Sequence, residues 1–180
     1  LPSHYGIDGP FVLWVGTTEP RKNLVRLVSA MEQIPDVPLV LVGPAGWKED
    51  AASVTEPLGE RAHIVGRVDE ATKHAWYAAA DVFAMPSLLE GFGLPVLEAM
   101  GHATPVVTSA GTATAEVVGD TGTTVDPTDT DAIAGAISGL LADPDEASRM
   151  GEACRQRAAT MTWAVAATAT ADVYHRVLAS

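Results

Sequence analysis

Three residues separate the stretch Asp81-Val-Phe-Ala-Met-Pro86 from the stretch Glu90-Gly-Phe-Gly-Leu-Pro-Val-Leu-Glu98. The first run is short, apolar and closed by a proline, which is typical of a buried strand in a parallel sheet. Pro95 suits the first turn of a helix, because its missing N–H would have no partner there, so a helix is predicted to begin near Leu94. A loop with two glycines therefore joins the carboxyl end of a strand to a helix.

That loop is a candidate anion site. Gly91 and Gly93 let the backbone approach a ligand closely, while the free N–H groups and dipole of the helix point into the loop. A diphosphate could bind there without a metal ion. Glu90 and Glu98 would repel phosphate, so their expected partners are neutral hydroxyls, those of ribose for one and of a sugar for the other. Glu98 alone is better explained as a charge that complements the helix dipole, and Glu90 alone as a solvated loop charge, but together they favour a nucleotide-sugar site.

The rest of the chain alternates between strand and helix patterns. Strands are predicted at 11–15, 38–42, 63–65, 104–108 and 122–125, and helices at 23–34, 47–58, 69–80, 113–118, 129–141, 146–159 and 163–178. Such alternation predicts an α/β fold with a doubly wound parallel sheet of about six strands, helices on both faces and a helical C-terminal section. The last helix is rich in Ala and Thr with little charge, so we expect it to be buried against another layer, with Trp163 as its anchor.

Length and composition limit the possible functions. The 180 residues suit one domain, with no boundary inside the chain, and the net charge of −12 disfavours nucleic acid or an anionic membrane as a direct partner. The single cysteine, Cys154, excludes an internal disulfide framework, and no apolar run is long enough to span a bilayer. A cytoplasmic location is the default expectation. The first residue, Leu1 rather than Met, suggests a fragment of a longer protein.

Two adjacent cations follow the first predicted strand. Arg21 and Lys22 come just after the turn Gly16-Thr-Thr18, at the sheet edge where open α/β sheets bind ligands. They could hold a diphosphate and stabilise the negative charge that grows on it as a glycosidic bond breaks. Basic residues in surface loops are usually solvated, but cations at a helix start are mildly unfavourable, which points to a functional role.

The string over residues 90–100, Glu-Gly-Phe-Gly-Leu-Pro-Val-Leu-Glu-Ala-Met, resembles the paired-glutamate signature of the group 1 (family 4) retaining glycosyltransferases. The resemblance extends through Val15-Gly-Thr-Thr-Glu-Pro-Arg-Lys-Asn23, Leu39-Val-Leu-Val-Gly43 and Gly119-Asp-Thr-Gly-Thr-Thr-Val-Asp-Pro127. It implies the GT-B fold, in which two Rossmann-like domains face each other across a cleft. Residues 1–180 would be a single Rossmann-like nucleotide-sugar-binding domain, the C-terminal half, without the N-terminal acceptor domain.

The resemblance also implies roles for individual residues. Arg21 and Lys22 would stabilise the leaving diphosphate, Glu90 would contact the sugar, and these three form the catalytic set. The donor-binding set is Gly16, Arg67, Val68, Gly91, Phe92, Gly93, Leu94 and Glu98, with Glu98 on the ribose hydroxyls. The segment Gly66-Arg-Val68 resembles one whose backbone contacts the nucleobase, although a plain strand-to-helix turn explains Arg67 equally well.

The implied reaction is retaining transfer of a hexose from GDP-mannose or a UDP-hexose to an acceptor hydroxyl, by attack from the face of the leaving group. Such a domain alone is expected to bind donor weakly and to turn over little. Its partners would be a nucleotide sugar and the N-terminal domain, with no nucleic acid and no direct membrane contact, although the full-length enzyme could be peripheral to a membrane. A nucleotide-sugar epimerase, a phosphorylase and a non-catalytic nucleotide-binding module remain alternatives.

No metal or other cofactor is predicted. Asp129-Thr-Asp131 and Asp143-Pro-Asp145 match a D-x-D metal pattern, but both lie at predicted helix starts, where aspartates are common caps. The five histidines lack the spacing of metal ligands. The glycines of Gly43-Pro-Ala-Gly46 could let a ligand pass close by, but their spacing fails G-x-G-x-x-G and disfavours a dinucleotide oxidoreductase.

Overall fold

A computed structural model describes residues 2–179, which form one parallel sheet flanked by helices. The strands are β1 Val12–Val15, β2 Leu39–Val42, β3 Ala62–Gly66, β4 Val82–Met85, β5 Val106–Ser109 and β6 Thr123–Val125. The α-helices are α1 Leu24–Glu32, α2 Ala51–Thr55, α3 Glu70–Ala79, α4 Leu94–Gly101, α5 Ala113–Val118, α6 Thr130–Ala142, α7 Pro144–Ala158 and α8 Trp163–Leu178. Short 3-10 helices span Pro2–Tyr5, Pro20–Lys22 and Glu56–Arg61.

The strand order is β3-β2-β1-β4-β5-β6, and every neighbouring pair is parallel. The chain moves outward from β1 to β3 on one side, returns to place β4 beside β1, and then continues to β6 on the other side. The order therefore reverses between β1 and β4, and open sheets of this kind bind ligands outside the carboxyl ends of the strands at that point. The predicted doubly wound parallel sheet is confirmed.

The central strands are apolar because helices cover both of their faces. Every residue of β1, β2, β4 and β5 is buried, as expected for parallel strands that contribute continuous Val- and Leu-rich runs. Helix α1 adds Leu24, Leu27, Val28 and Met31, which repeat at helical spacing and are all buried. The core is thus set by the hydrophobic pattern of the chain.

Aspartates cap several helices. Asp69 accepts a hydrogen bond from the Thr72 backbone N–H at 2.7 Å, at the start of α3. Asp129 caps α6 through Ala132 N, and Asp143 caps α7 through Glu146 N, each at 2.9 Å. These bonds satisfy helix N–H groups that have no partner within the helix. Helix capping thus accounts for the leading aspartate of each D-x-D pattern, as the sequence indicated.

Two expectations differ from the structure. The helix predicted over 47–58 begins only at Ala51 and continues as the 3-10 helix Glu56–Arg61, where Pro57 lies in the first turn and Gly59 has a φ of 56°. The expectation that α8 packs against another layer is not met among the described residues, where none of its side chains is buried and Trp163 is 84% exposed. Alanine favours a helix whether it is buried or exposed, so the composition of α8 did not determine its burial.

None of the helices between residues 2 and 179 combines the length and the apolar character needed to cross a bilayer.

Candidate functional site

Hydrogen bonds join the loops at the carboxyl ends of β1, β4 and β6. The Leu88 N–H donates to the Arg21 carbonyl at 2.7 Å. Asn23 Nδ2 donates to the Pro86 carbonyl at 2.8 Å and to the Pro127 carbonyl at 2.7 Å. Asn23 is buried and has a φ of 59°, a left-handed conformation that asparagine tolerates better than most residues. One amide therefore holds three loops together, a role that the sequence analysis did not assign.

The predicted catalytic residues meet at this junction. Lys22 Nζ lies 2.8 Å from Glu90 Oε1, and both side chains are only 7% exposed. Arg21 Nη1 lies 3.0 Å from Glu90 Oε2, and Arg21 Nε lies 2.8 Å from Glu19 Oε2. The cluster thus contains two cations and two carboxylates. Its residues come from two loops that are far apart in sequence, and the junction of β1 with β4 brings them together.

The cations act on the ionisation of Glu90. Burial raises the pKa of Glu90, but Lys22, the Ser87 hydroxyl and Arg21 outweigh that effect and hold the pKa below its usual value. Burial by itself would lower the pKa of Arg21, but Glu90 and Glu19 more than compensate, so the pKa of Arg21 is raised. Glu90 is therefore an anion at neutral pH, held against the cations that a diphosphate would need.

Gly16 and the glycine turn after β2 pack closely around the same edge. A Cβ at Gly16 would lie 3.4 Å from Cε of Lys22, whereas one at Gly43 would lie 2.0 Å from the Gly16 carbonyl oxygen. A Cβ at Gly46 would lie 1.8 Å from the Thr18 carbonyl oxygen. Tight backbone contact between two loops thus explains Gly43 and Gly46, which the sequence had left open as a passage for ligand.

Gly93 ends the signature loop and begins α4. Its φ is 96°, in the left-handed region, and a Cβ there would lie 2.5 Å from Thr114 Cγ2. The Gly93 carbonyl accepts hydrogen bonds from the N–H groups of Val96 and Leu97, at 2.9 and 3.2 Å. Glycine is therefore required at this turn for both conformation and space. Helix α4 begins at Leu94, as predicted, with Pro95 in its first turn.

The backbone N–H groups of this loop are free to bind a ligand. No side chain caps α4, and no described residue accepts a hydrogen bond from an N–H group of Gly91, Phe92, Gly93 or Leu94. The side chains of Phe92 and Leu94 are exposed. A helix start with uncapped N–H groups next to Arg21 and Lys22 provides hydrogen-bond donors and positive charge for an anion.

Glu98 lies in the second turn of α4 and faces α3. Tyr77 Oη donates to Glu98 Oε2 at 2.9 Å, and Lys73 Nζ lies 3.1 Å from Glu98 Oε1. The Glu98 side chain remains 29% exposed. Tyr77 is fully buried, and its contact with Glu98 was not predicted from the sequence. The four-residue spacing of Lys73 and Tyr77, which puts both on one helix face, was the available signal.

Two histidines pack beside this group. His74 Nδ1 and His102 Nε2 lie 2.8 Å apart, and the His102 ring is nearly parallel to the Tyr77 ring at a centroid distance of 6.0 Å. Burial and the neighbouring His74 lower the pKa of His102, although Glu98 acts in the opposite direction. His102 is therefore neutral at neutral pH and supports Tyr77 by packing.

Arg67 and Val68 lie at the same sheet edge but away from the ion cluster. Gly66, at the end of β3, accepts a hydrogen bond from the Gly43 N–H at 2.9 Å. Arg67 is exposed and Val68 half-buried. Because β3 is two strands away from β1 in the sheet, β1 and β3 lie about 10 Å apart. The structure thus places these two residues beside the cluster rather than within it.

The described residues include neither a cluster of metal ligands nor an exposed cysteine. Residues 2–179 contain no group of three or more His, Cys, Asp or Glu side chains that could hold a metal ion. Cys154 is buried and its Sγ lies 3.1 Å from the Thr121 carbonyl oxygen. Burial raises the pKa of the Cys154 thiol, as expected for a structural rather than a reactive cysteine.

Known proteins resemble this chain in sequence and in fold. The family model described as glycosyl transferases group 1 matches residues 9–143. O-antigen chain mannosyltransferase B of Escherichia coli is 42% identical over 141 residues, which cover 74% of this chain and 37% of that protein. The GDP-mannose-dependent alpha-(1-6)-phosphatidylinositol monomannoside mannosyltransferase of Mycolicibacterium smegmatis is 37% identical over 173 residues, which cover 86% of this chain and 45% of that protein.

A solved structure is also similar. Sucrose-phosphate synthase from Thermosynechococcus elongatus has a TM-score of 0.86 at 35% identity, with 99% of this chain and 48% of that chain covered. The chain therefore spans less than half the length of these relatives. The family match covers most of the chain, including β1 to β6 and the signature loop. This chain belongs to the group 1 glycosyl transferases and has the Rossmann-like fold of their GT-B C-terminal domain.

Proposed function

We propose that the chain is the donor-binding domain of a retaining glycosyltransferase that transfers a hexose from a nucleoside diphosphate sugar to an acceptor hydroxyl. The observation that carries this proposal is the meeting of Arg21, Lys22 and Glu90 beside the uncapped start of α4. They meet at the switch point of the sheet, where folds of this kind bind nucleotides. Cations, free amides and a carboxylate are the groups that a diphosphate and a sugar require.

The diphosphate would be bound by the N–H groups of Gly91 to Leu94 together with Arg21 and Lys22. The chain carries a net charge of −12, so a phosphate ligand needs local positive potential of this kind. Glu90 now contacts both cations, and donor binding would redirect its carboxylate to the hydroxyls of the sugar. The cations would then stabilise charge that develops on the leaving phosphate.

The nucleoside would extend along the carboxyl edge of the sheet. Glu98 would accept hydrogen bonds from the ribose hydroxyls, and the backbone of Arg67 and Val68 would contact the base. The distance of about 10 Å between β1 and β3 suits a ligand that spreads from its phosphates to its base. Gly16 would line the phosphate end, next to Lys22.

Retention would follow from attack on the face that the diphosphate leaves, so the enzyme would need no nucleophile of its own. No metal ion is required in this proposal, because Arg21, Lys22 and the helix start supply the positive charge. The acceptor would be bound mainly by an N-terminal domain. GDP-mannose is the first donor to test, since both mannosyltransferase relatives point to mannose and one of them is GDP-mannose-dependent.

The test is calorimetric titration of the chain with GDP, UDP and ADP, with and without magnesium. We expect one nucleotide to bind in the presence of EDTA, and Lys22→Ala and Glu98→Ala each to weaken that binding. Arg149→Ala is the matched control, because it removes an exposed cation on α7 whose partner is Glu146. Absence of binding, strict dependence on magnesium, or equal weakening by all three substitutions would contradict the proposal.

A further inference from the structure

Side chains of the neighbouring helix α3 hold both carboxylate oxygens of Glu98. The Tyr77 hydroxyl donates to one oxygen at 2.9 Å, and the Lys73 ammonium lies 3.1 Å from the other. A glutamate side chain in solution samples many rotamers, and ordering it on binding would cost affinity. The two contacts from α3 remove most of that freedom before any ligand arrives.

Tyr77 is the rigid member of this pair. It is fully buried, its ring meets the edge of Phe83 at a centroid distance of 5.6 Å, and its carbonyl accepts a hydrogen bond from Thr104 Oγ1 at 2.7 Å. The hydroxyl therefore cannot move far without disturbing the core. Burial and the nearby Glu98 carboxylate raise the pKa of Tyr77, so its hydroxyl stays protonated and remains a donor at any working pH.

Lys73 is the adaptable member. Its ammonium also lies 2.9 Å from Glu70 Oε2, and the Glu70 side chain is 79% exposed. Burial alone would lower the pKa of Lys73, but Glu70 and Glu98 outweigh that effect and raise it, so the group stays charged. Lys73 thus fixes the second oxygen of Glu98 from the solvent side, where a long side chain can adjust.

Glu98 keeps capacity for a ligand in this arrangement. A carboxylate has about four acceptor positions, and Tyr77 and Lys73 use one on each oxygen. The side chain is still partly exposed, which leaves acceptor capacity on the carboxylate for a ligand. Two acceptors on one rigid carboxylate match the two adjacent hydroxyls of a ribose.

We propose that Tyr77 and Lys73 are positioning residues, which orient Glu98 so that it distinguishes a ribonucleotide from a nucleotide without the ribose hydroxyls. This inference rests on the proposed function, because it takes Glu98 as the ribose contact. Neither residue would touch the donor, so their effect would pass through the carboxylate alone.

The test compares nucleoside diphosphates with and without the two ribose hydroxyls. The unaltered chain is titrated with GDP and UDP, and the better ligand is then compared with its 2′,3′-dideoxy analogue. We expect a preference for the ribose form of about ten-fold or more, as for hydrogen bonds to a charged group. Tyr77→Phe, which keeps the ring but removes the hydroxyl, should reduce that preference several-fold while leaving the Kd of the dideoxy analogue unchanged. Lys73→Met should act in the same direction with a smaller effect.

A matched control comes from α8. Tyr174→Phe makes the same change at a tyrosine that is 64% exposed and far along the chain, and the preference should not change. Thermal unfolding of each variant checks that the fold is intact. If Tyr77→Phe does not fold, Lys73→Met is the variant that tests the inference, because Lys73 is less buried than Tyr77.

The outcomes separate the inference from the proposed function. An unchanged preference in Tyr77→Phe and Lys73→Met, or equal weakening of both ligands, would overturn the inference. If Glu98→Gln abolishes the preference while Tyr77→Phe does not, the proposed function stands and only the positioning role fails. If the unaltered chain binds no nucleotide, or binds both forms equally, the assignment of Glu98 to ribose fails and the inference with it.

Discussion

Glu90 and Glu98 are identical residues eight positions apart, yet the fold surrounds them differently. Glu90, in the loop after β4, is 7% exposed and lies within 3.0 Å of both Lys22 and Arg21. Glu98, on α4, is 29% exposed and contacts one cation, Lys73, and one neutral hydroxyl, that of Tyr77. The first carboxylate is part of a buried ion cluster, whereas the second is a held but accessible acceptor.

This difference shows that the two glutamates of one short motif can differ in burial and in the charge of their partners. Removing a partner of Glu90 leaves a buried charge without compensation, which is costly. Removing Lys73, the charged partner of Glu98, should cost less, because water reaches this partly exposed pair. Substitutions of the charged partners of the two glutamates should therefore lower the free energy of unfolding by different amounts, even where both weaken ligand binding.

The largest effect on stability is expected from Lys22→Met. This change leaves Glu90 buried with only the partly exposed Arg21 as a counter-ion, so the free energy of unfolding should fall by about 3 kcal/mol. Urea unfolding followed by circular dichroism measures it. Lys73→Met, which affects Glu98, is the matched control and should cost less than about 1 kcal/mol. Equal losses in the two variants would contradict the comparison.

Gly93→Ala should follow, because Gly93 joins the Glu90 loop to the Glu98 helix. A non-glycine residue at a φ of 96° is strained, and its Cβ would meet Thr114 at 2.5 Å, so a loss of about 2 kcal/mol is expected. Gly91→Ala is the control: its Cβ would have nothing within 4 Å and its φ is not positive, so stability should change by less than about 0.5 kcal/mol. Chemical denaturation of both variants measures their free energies of unfolding. Similar losses in the two variants would show that the left-handed turn at Gly93 does not require glycine.

Glu98→Gln should cost about 1 kcal/mol of unfolding free energy, since it weakens one partly exposed ion pair and keeps an acceptor for Tyr77. Glu90→Gln should cost more, because Lys22 would then be buried without its nearest carboxylate. The double variant Lys22→Met/Glu90→Gln should recover part of the loss of Lys22→Met. Additive losses in the double variant would contradict direct coupling of the pair.

The smallest effect is expected from pH. The folded pKa of Glu90 lies below its unfolded value of about 4.3, so the unfolded state binds more protons as the pH falls below that value. The stability that ionised Glu90 contributes is therefore present above about pH 4.3 and is lost as the pH falls through the folded pKa. The difference in unfolding free energy between the unaltered chain and Glu90→Gln should narrow between pH 6 and pH 3. Urea titrations across that range measure this difference. A difference that stays constant or widens as the pH falls would contradict a lowered pKa for Glu90 in the folded state.

Much of the fold followed from the sequence because hydrophobic runs and helix caps are local signals. The strand after Asp81, the helix start at Leu94 and the caps at Asp129 and Asp143 were all predicted from residues within a few positions. The boundary of α2 was less clear, because Pro57 and Gly59 interrupt a weak pattern. The exposure of α8 could not be predicted, since its composition does not say what covers it.

For the site, the sequence named the chemical groups but not their partners. Arg21, Lys22 and Glu90 were singled out by residue type and by place at strand ends, and their common edge followed from parallel strands. That Glu90 contacts both cations depends on β4 lying beside β1, a pairing between segments about 70 residues apart. Contacts between segments so far apart in the chain produce no local sequence pattern from which they could be predicted.

By itself, the sequence determined that strands and helices alternate, that a glycine loop starts α4 after β4, and that two glutamates and two cations lie at one sheet edge. Only the tertiary structure decided that Glu90 is buried between Lys22 and Arg21, while Glu98 is held by Tyr77 and Lys73. The reason is physical: backbone conformation depends mainly on neighbouring residues, whereas the burial and partners of a charge depend on which distant elements pack against it.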